Sequence, residues 1–173
     1  MKASAVAKSG ADPTRAVTIT NERLRAAFLP VPMAQYFARK LPHLAPDELE
    51  ARIEETLKFL MLASQCTGSI PVTGDIDEIW HYWILQTQQY DALCAALPAA
   101  EFIHHSSNVY IEAVGEEPRD DLKSDVTMLA AYVANYGPFD QSRIKYWKVA
   151  ANLRERYGWS VEELNGWLAS GGQ

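Results

Sequence analysis

Apolar residues in this chain recur mainly at three- and four-residue spacing, which is the period of an amphipathic helix. The clearest stripe is formed by Leu49, Ile53, Leu57 and Leu60. Pro46 stands just ahead of it, at a position that suits the first turn of a helix. The pattern therefore predicts a long helix that packs one face against a core. Outside that stripe, Glu54 and Lys58 are predicted to form an i,i+4 pair on the exposed side.

The same spacing predicts helices along most of the chain. In order they cover residues 22–29, 33–41, 46–66, 75–97, 122–136, 144–158 and 161–168. Asn21 is the expected cap of the first helix, and Asp75 with Glu78 that of the central one. Ser160 and Glu163 form a capping box before the last helix. The best strand candidate is Asn108 to Val114.

These elements predict a mostly α-helical protein, built as a single-domain bundle of about six to seven helices with at most a minor β element. With 173 residues the chain is long enough to bury a core without metal or disulfide support. Residues 1–14 are rich in Ala, Ser and Lys and are expected to be a disordered leader. Residues 15–173 are expected to form the one domain, with residues 75–105 at its centre.

Charge is distributed unevenly. Residues 1–44 contain seven basic and two acidic side chains, whereas the rest of the chain contains nine basic and twenty acidic ones. An acidic body repels phosphate backbones, so nucleic-acid binding is not expected. The basic region 1–44 is predicted either to dock onto the acidic body or to meet a protein partner.

The two cysteines and the hydropathy indicate the compartment. Cys66 and Cys94 lie in helical patterns without a Cys-x-x-Cys motif, so buried free thiols are expected. No apolar run approaches the roughly 20 residues that span a bilayer. A cytoplasmic protein without a membrane segment is the prediction.

Residues 75–105 contain three of the four histidines and carry the candidate chemistry. Asp77 and His81 are four residues apart and share one face of a helix. Cys94 lies about 20 Å further along the axis, so it cannot share a metal ion with His81 unless the helix breaks. Pro98 ends the helix, and a short return would bring His104 or His105 back toward Asp77.

Imidazole nitrogens with one carboxylate are ligands that zinc and non-haem iron accept. Asp77, His81, His104 and His105 are therefore the candidate metal ligands, for a divalent transition metal such as zinc or iron. Adjacent residues usually point apart, so one of the two tandem histidines is expected to reach the centre. Two alternatives stay open for these residues: a buried structural hydrogen-bond network, and a metal-free catalytic role.

The other residues of the motif have more ordinary interpretations. Trp80, Trp83 and Tyr90 recur at helical spacing, which is typical of core packing. Cys94 falls on their side of the helix, as a small buried hydrophobe does. A Cys94 nucleophile would need a tandem histidine as its base.

Taken together, Asp77-Glu-Ile-Trp80-His81, Tyr90, Cys94 and Phe102-Ile-His104-His105 resemble the signature of the glycine-rich domain-containing protein-like family. The likeness extends from Glu54 to Trp147, and this chain corresponds to the bacterial single-domain type. Position 83 is Trp, where some longer members have a second histidine. The resemblance implies that the motif matters, but no reaction or active site comes with it.

The leading functional hypothesis is a small helical binding or accessory protein whose working surface surrounds the Trp-His and His-His motifs. The rival hypothesis is a metal-dependent enzyme that uses Asp77, His81 and one tandem histidine. A third interpretation is that the motif is purely structural.

Overall fold

The computed structural model describes residues 18–65, 71–106, 113 and 122–172. Eight α-helices lie within these residues. They are α1 (Asn21–Phe28), α2 (Val31–Lys40), α3 (Pro46–Ala63), α4 (Gly74–Ile84), α5 (Thr87–Ala96), α6 (Leu122–Tyr136), α7 (Lys148–Tyr157) and α8 (Val161–Ala169). A short 3-10 helix, Ile144–Tyr146, precedes α7. The mostly α-helical class is confirmed, and the described residues contain no strand.

Helix α3 lies at the centre of the bundle and packs against α1, α2, α4 and α6. Its apolar stripe is buried as predicted, with Leu57 and Leu60 completely inaccessible. Phe59, on the same helix, meets the Trp80 ring of α4 at 5.4 Å between centroids. The apolar residues of α3 supply the largest continuous part of the core.

The central helix predicted from Asp75 to Leu97 is two helices, which is why the count is eight. The chain leaves the helical conformation at Gln86, where φ is −96° and ψ is 68°. This break gives α5 its own direction, and Tyr90, Leu93 and Cys94 are buried as a result. The burial of these side chains outweighs the local propensity to continue the helix.

Two predicted helix caps are wrong. Thr20, not Asn21, caps α1 through a hydrogen bond from the Arg23 amide, and the Asn21 side chain donates to Glu54 instead. The capping box of Asp75 and Glu78 does not form. The helix begins at Gly74 with Thr73 as its N-cap residue, and both carboxylates pair with a cation on α3. Their partner is Arg52, at 2.8 Å from Asp75 and 3.2 Å from Glu78.

The carboxyl-terminal half follows its local signals more closely. Helix α6 ends before Gly137, whose φ of +87° is favourable only for glycine. Ser160 and Glu163 form the predicted capping box of α8. The helix predicted over 144–158 begins later than expected, since its first residues form the 3-10 turn.

Several predictions lie outside the described residues. These are the leader at 1–14, Cys66 and, apart from Ala113, the strand candidate Asn108 to Val114. Helix α3 itself ends at Ala63, three residues earlier than predicted. No helix in the part of the chain that the structure describes is both long and apolar enough to cross a membrane.

Candidate metal centre

Helix α4 presents Asp77 and His81 one turn apart, as their spacing predicts. The Nδ1 of His81 lies 2.8 Å from the Asp77 backbone carbonyl and 3.3 Å from its carboxylate oxygen Oδ2. Because a carbonyl oxygen can only accept, Nδ1 carries the hydrogen in this contact. In the neutral imidazole the lone pair then lies on Nε2.

The chain returns along α4 after Pro98, as the sequence predicts. Ala100, with φ of +52°, lies in the turn. The return segment, residues 98–106, brings the His105 Nε2 to 2.7 Å from Asp77 Oδ1. The structure therefore places one tandem histidine beside the Asp77–His81 turn.

Aromatic packing fixes the orientation of the His105 ring. It contacts the Trp80 ring edge-on, with centroids 4.6 Å apart, and lies 4.4 Å from the His81 ring. Only 14% of its side chain is exposed, against 51% for His81 and 35% for Asp77. The cluster thus has one buried side and one open to solvent.

The other tandem histidine does not join the cluster. His104 is exposed, and its ring packs near that of Phe102, 5.1 Å between centroids. Successive residues of an extended segment point in opposite directions, which separates the two imidazoles. Of the four candidate ligands, His104 is therefore the one that the structure leaves out of the cluster.

Asp77, His81 and His105 each offer a ligand atom, and these atoms lie within 4.8 Å of one another. We call these three residues the triad. In a tetrahedral zinc site, bonds of about 2.0–2.1 Å set ligand atoms roughly 3.3 Å apart. A shift on the order of an ångström would bring the triad to that spacing. Two imidazoles with one carboxylate suit zinc and non-haem iron.

The remaining motif residues lie in the core. Cys94 is a buried free thiol and is not among the groups of described residues that could share a metal ion. Trp83 is also buried, and its ring meets Phe37 at 5.3 Å between centroids. Position 83 therefore faces the core, so its tryptophan takes no ligand away from the triad.

A second polar cluster, on α3, was missed by the sequence analysis. Glu54, Glu55 and Lys58 are each at most 5% exposed, so the predicted surface pair of Glu54 and Lys58 is wrong. Lys58 pairs with Glu55 instead, at 2.7 Å. The sequence did contain an indication of this burial. Apolar residues lie on all sides of α3 in its second half, which is typical of a buried helix.

Apart from Lys58 on α3 itself, the partners of the two glutamates come from distant parts of the chain. Glu54 pairs with Arg143 at 2.6 Å and with Arg25. Glu55 accepts hydrogen bonds from Lys58, Arg143, Tyr132 and Trp147, the last two through Oε2. These residues form what we call the α3 ion cluster, with these members: Glu54, Glu55, Lys58, Arg25, Arg143, Tyr132 and Trp147.

Burial shapes the protonation of the α3 ion cluster. It lowers the pKa of Lys58, although the neighbouring Glu55 carboxylate acts in the opposite direction. Burial, with Glu55 adding to it, raises the pKa of Tyr132 far above the ordinary value for tyrosine. Tyr132 therefore remains a neutral donor throughout the physiological range.

Two surface pockets are open to solvent. The first, of about 530 Å³, is lined by residues between 18 and 26, and the second, of about 490 Å³, is lined in part by Lys58 and Arg143. Neither is lined by a member of the triad. Comparison with known proteins adds no relative, because no family model, no curated protein and no solved structure matches this chain. The function has to be argued from the geometry of the triad.

Proposed function

We propose that this protein binds one divalent first-row transition metal ion, zinc or iron, through Asp77, His81 and His105. The observation that supports this is the approach of three ligand atoms to within 4.8 Å of one another. Arg52 supports the arrangement, since it ties the start of α4 to α3 through Asp75 and Glu78.

The partial exposure of the triad favours an open site over a closed structural one. Structural zinc sites have four protein ligands, whereas three protein ligands leave a position for water or for an external molecule. An ion held by the triad would act as a Lewis acid on the molecule in that position. Such a site would serve a metal-dependent enzyme or a protein that recognises its partner through the metal.

The first experiment measures the metal content of protein purified without a histidine tag, followed by zinc titration of the metal-free form. We expect one ion per chain. His81→Ala and His105→Ala should each abolish stoichiometric binding, because each removes one of three ligands.

His104→Ala is the matched control, because it removes the neighbouring imidazole, which lies outside the triad. It should bind as the wild type does. Metal-free wild-type protein that takes up no zinc, or equal loss of binding in all three variants, would refute the proposal.

We propose in addition a binding or accessory role for the surface around the return segment. The observation that favours it is Phe102, a large apolar side chain that is 48% exposed beside His104. Phe102→Ser should reduce retention of a protein partner while leaving zinc binding intact. An unchanged set of retained proteins would count against this role.

The basic region 1–44 is proposed to contribute to partner binding through its exposed cations Arg23, Arg39 and Lys40. Arg25 is engaged within the fold, with Glu50 at 2.7 Å. Deleting the whole region would remove the core residues Leu24 and Phe37. The better test is therefore Arg39→Glu combined with Lys40→Glu, which should weaken retention of an acidic partner.

Membership in the glycine-rich domain-containing protein-like family and a cytoplasmic location are also proposed. The motif residues support the first, and the buried free thiol of Cys94 suits a reducing compartment. Zinc binding by another chain with the same Asp-x-x-Trp-His and His-His spacing would extend the proposal beyond this protein. Fractionation of cells that express the chain would test its location.

A further inference from the structure

One hydroxyl group connects α4, α5 and the return segment. The Trp80 Nε1 donates to the Tyr90 hydroxyl at 2.9 Å, and that hydroxyl donates to the Ile103 carbonyl at 2.6 Å. Tyr90 is 1% exposed, so both hydrogen bonds are shielded from water. A buried hydroxyl that accepts one hydrogen bond and donates another holds both partners in place.

The two ends of this relay meet at the triad. Ile103 lies two residues before His105, so the relay fixes the backbone from which the His105 side chain extends. Trp80, at the other end, packs its ring edge-on against the His105 ring at 4.6 Å. The backbone position and the ring orientation of His105 therefore both depend on groups bonded to Tyr90.

We infer that Tyr90 is a positioning residue that holds His105 against Asp77 and thereby sets the affinity of the triad for its metal ion. Tyr90 itself is not a member of the triad, which consists of Asp77, His81 and His105. The inference rests on the metal site proposed above and adds to it the residue that preorganises one of its ligands. Outer partners that orient metal ligands commonly change metal affinity by about 10- to 100-fold when they are removed.

Tyr90→Phe isolates the hydroxyl. The variant keeps the aromatic ring, including its edge-on contact with Phe102 at 5.1 Å. It removes the hydroxyl and with it the relay from Trp80 to Ile103. The zinc dissociation constant, measured by competition with a chelating dye, should rise by about 10- to 100-fold.

Tyr132→Phe is the matched control. Its hydroxyl is also buried and also has two partners, Lys58 and Glu55, but it belongs to the α3 ion cluster. This variant should lose stability and keep the zinc affinity of the wild type. A merely structural role for Tyr90 would make the two variants behave alike.

A second measurement does not depend on metal. In the metal-free protein the Trp80 ring, with its centroid 4.6 Å from that of His105, should shift the NMR resonances of the His105 ring protons through its ring current. Tyr90→Phe should move these resonances toward their values in an unstructured peptide, whereas Tyr132→Phe should leave them unchanged. Far-UV circular dichroism confirms that both variants are folded.

The two measurements separate this inference from the proposed function. Wild-type protein that binds no zinc refutes the metal site, and the His105 resonances then decide alone whether Tyr90 holds the ring. Where the wild type binds zinc, a Tyr90→Phe variant with unchanged affinity or with unchanged His105 resonances overturns the inference.

Discussion

The α3 ion cluster and the triad both join acidic side chains to basic ones, but they differ in burial and in how fully their hydrogen bonds are satisfied. Glu55 is completely buried and accepts hydrogen bonds from four side chains. His81, by contrast, is half exposed, and its contacts with Asp77 are made through Nδ1. Cations and hydrogen-bond donors surround the carboxylate oxygens of the α3 ion cluster, whereas the triad presents an imidazole and a carboxylate that are partly open to solvent. A buried cluster whose hydrogen bonds are satisfied stabilises the fold, whereas a metal site needs ligand atoms that are partly exposed and have lone pairs.

The largest effect is expected when the α3 ion cluster is broken. Glu55→Gln leaves the buried Lys58 ammonium without its carboxylate, and removal of one partner of a buried ion pair costs about 3–5 kcal/mol. Chemical denaturation measures the loss. Glu50→Gln, on the same helix but exposed, is the control and should cost about 0.5 kcal/mol. An equally small loss of stability in both variants would contradict this difference between buried and exposed charges.

Zinc binding at the triad should raise the stability of the protein, whereas breaking the α3 ion cluster lowers it. At a free concentration 100 times the dissociation constant, an ion that binds only the folded state adds about 2.7 kcal/mol to the free energy of unfolding. This gain should appear in the wild type and be absent in His105→Ala. Denaturation with and without zinc provides the measurement, and an equal gain in both proteins would place the ion elsewhere.

Acid should weaken a third set of contacts, between α3 and the segment before α7. Burial acts to raise the pKa of Glu48, but hydrogen bonds from Arg52, Tyr146 and Lys145 outweigh it and lower the pKa from 4.5 to about 2. A lowered folded-state pKa contributes stability that is complete above pH 4.5 and is lost as the pH falls toward 2.

Glu48→Gln should therefore flatten the decline in stability between pH 4.5 and 2. The difference should be about 1 kcal/mol, because solvent screens these partly exposed charges. Denaturation curves at several pH values measure it. Glu155→Gln, which changes an exposed acid on α7, is the control, and identical pH profiles for both variants would contradict the assignment.

The smallest effect is expected for His81→Ala in the metal-free protein. If the motif were a buried structural network, this substitution would cost a few kcal/mol. Since the side chain is 51% exposed, we expect about 0.5 kcal/mol. Thermal unfolding without metal distinguishes the two, and a large loss would restore the structural interpretation of the triad.

Much of the site could be predicted because it depends on short-range geometry. Asp77 and His81 share a face through their spacing alone, and Pro98 marks where the chain turns back. The choice of His105 over His104 could not be read in advance. That choice depends on which face of the return segment meets the Trp80 ring, and the structure places His105 there, with ring centroids 4.6 Å apart.

The partners of the buried α3 charges could not be predicted, because most of them are far from α3 in the sequence. Glu55 and Trp147 are separated by 92 residues, and an i,i+4 pattern on one helix does not indicate such a partner. The same reason explains the error at Asp75 and Glu78. Local rules assigned these carboxylates to a helix cap, but Arg52 on another helix offers a full opposite charge.

The sequence by itself determined the helical class, the apolar stripe of α3, the glycine end of α6 and the capping box of α8. Each of these depends on residues within one or two helical turns of each other. Only the tertiary structure decided where the central helix breaks, which imidazole joins Asp77 and which charges are buried. Those outcomes depend on which surfaces meet across the bundle, and the energy of burying them exceeds the local preferences of the chain.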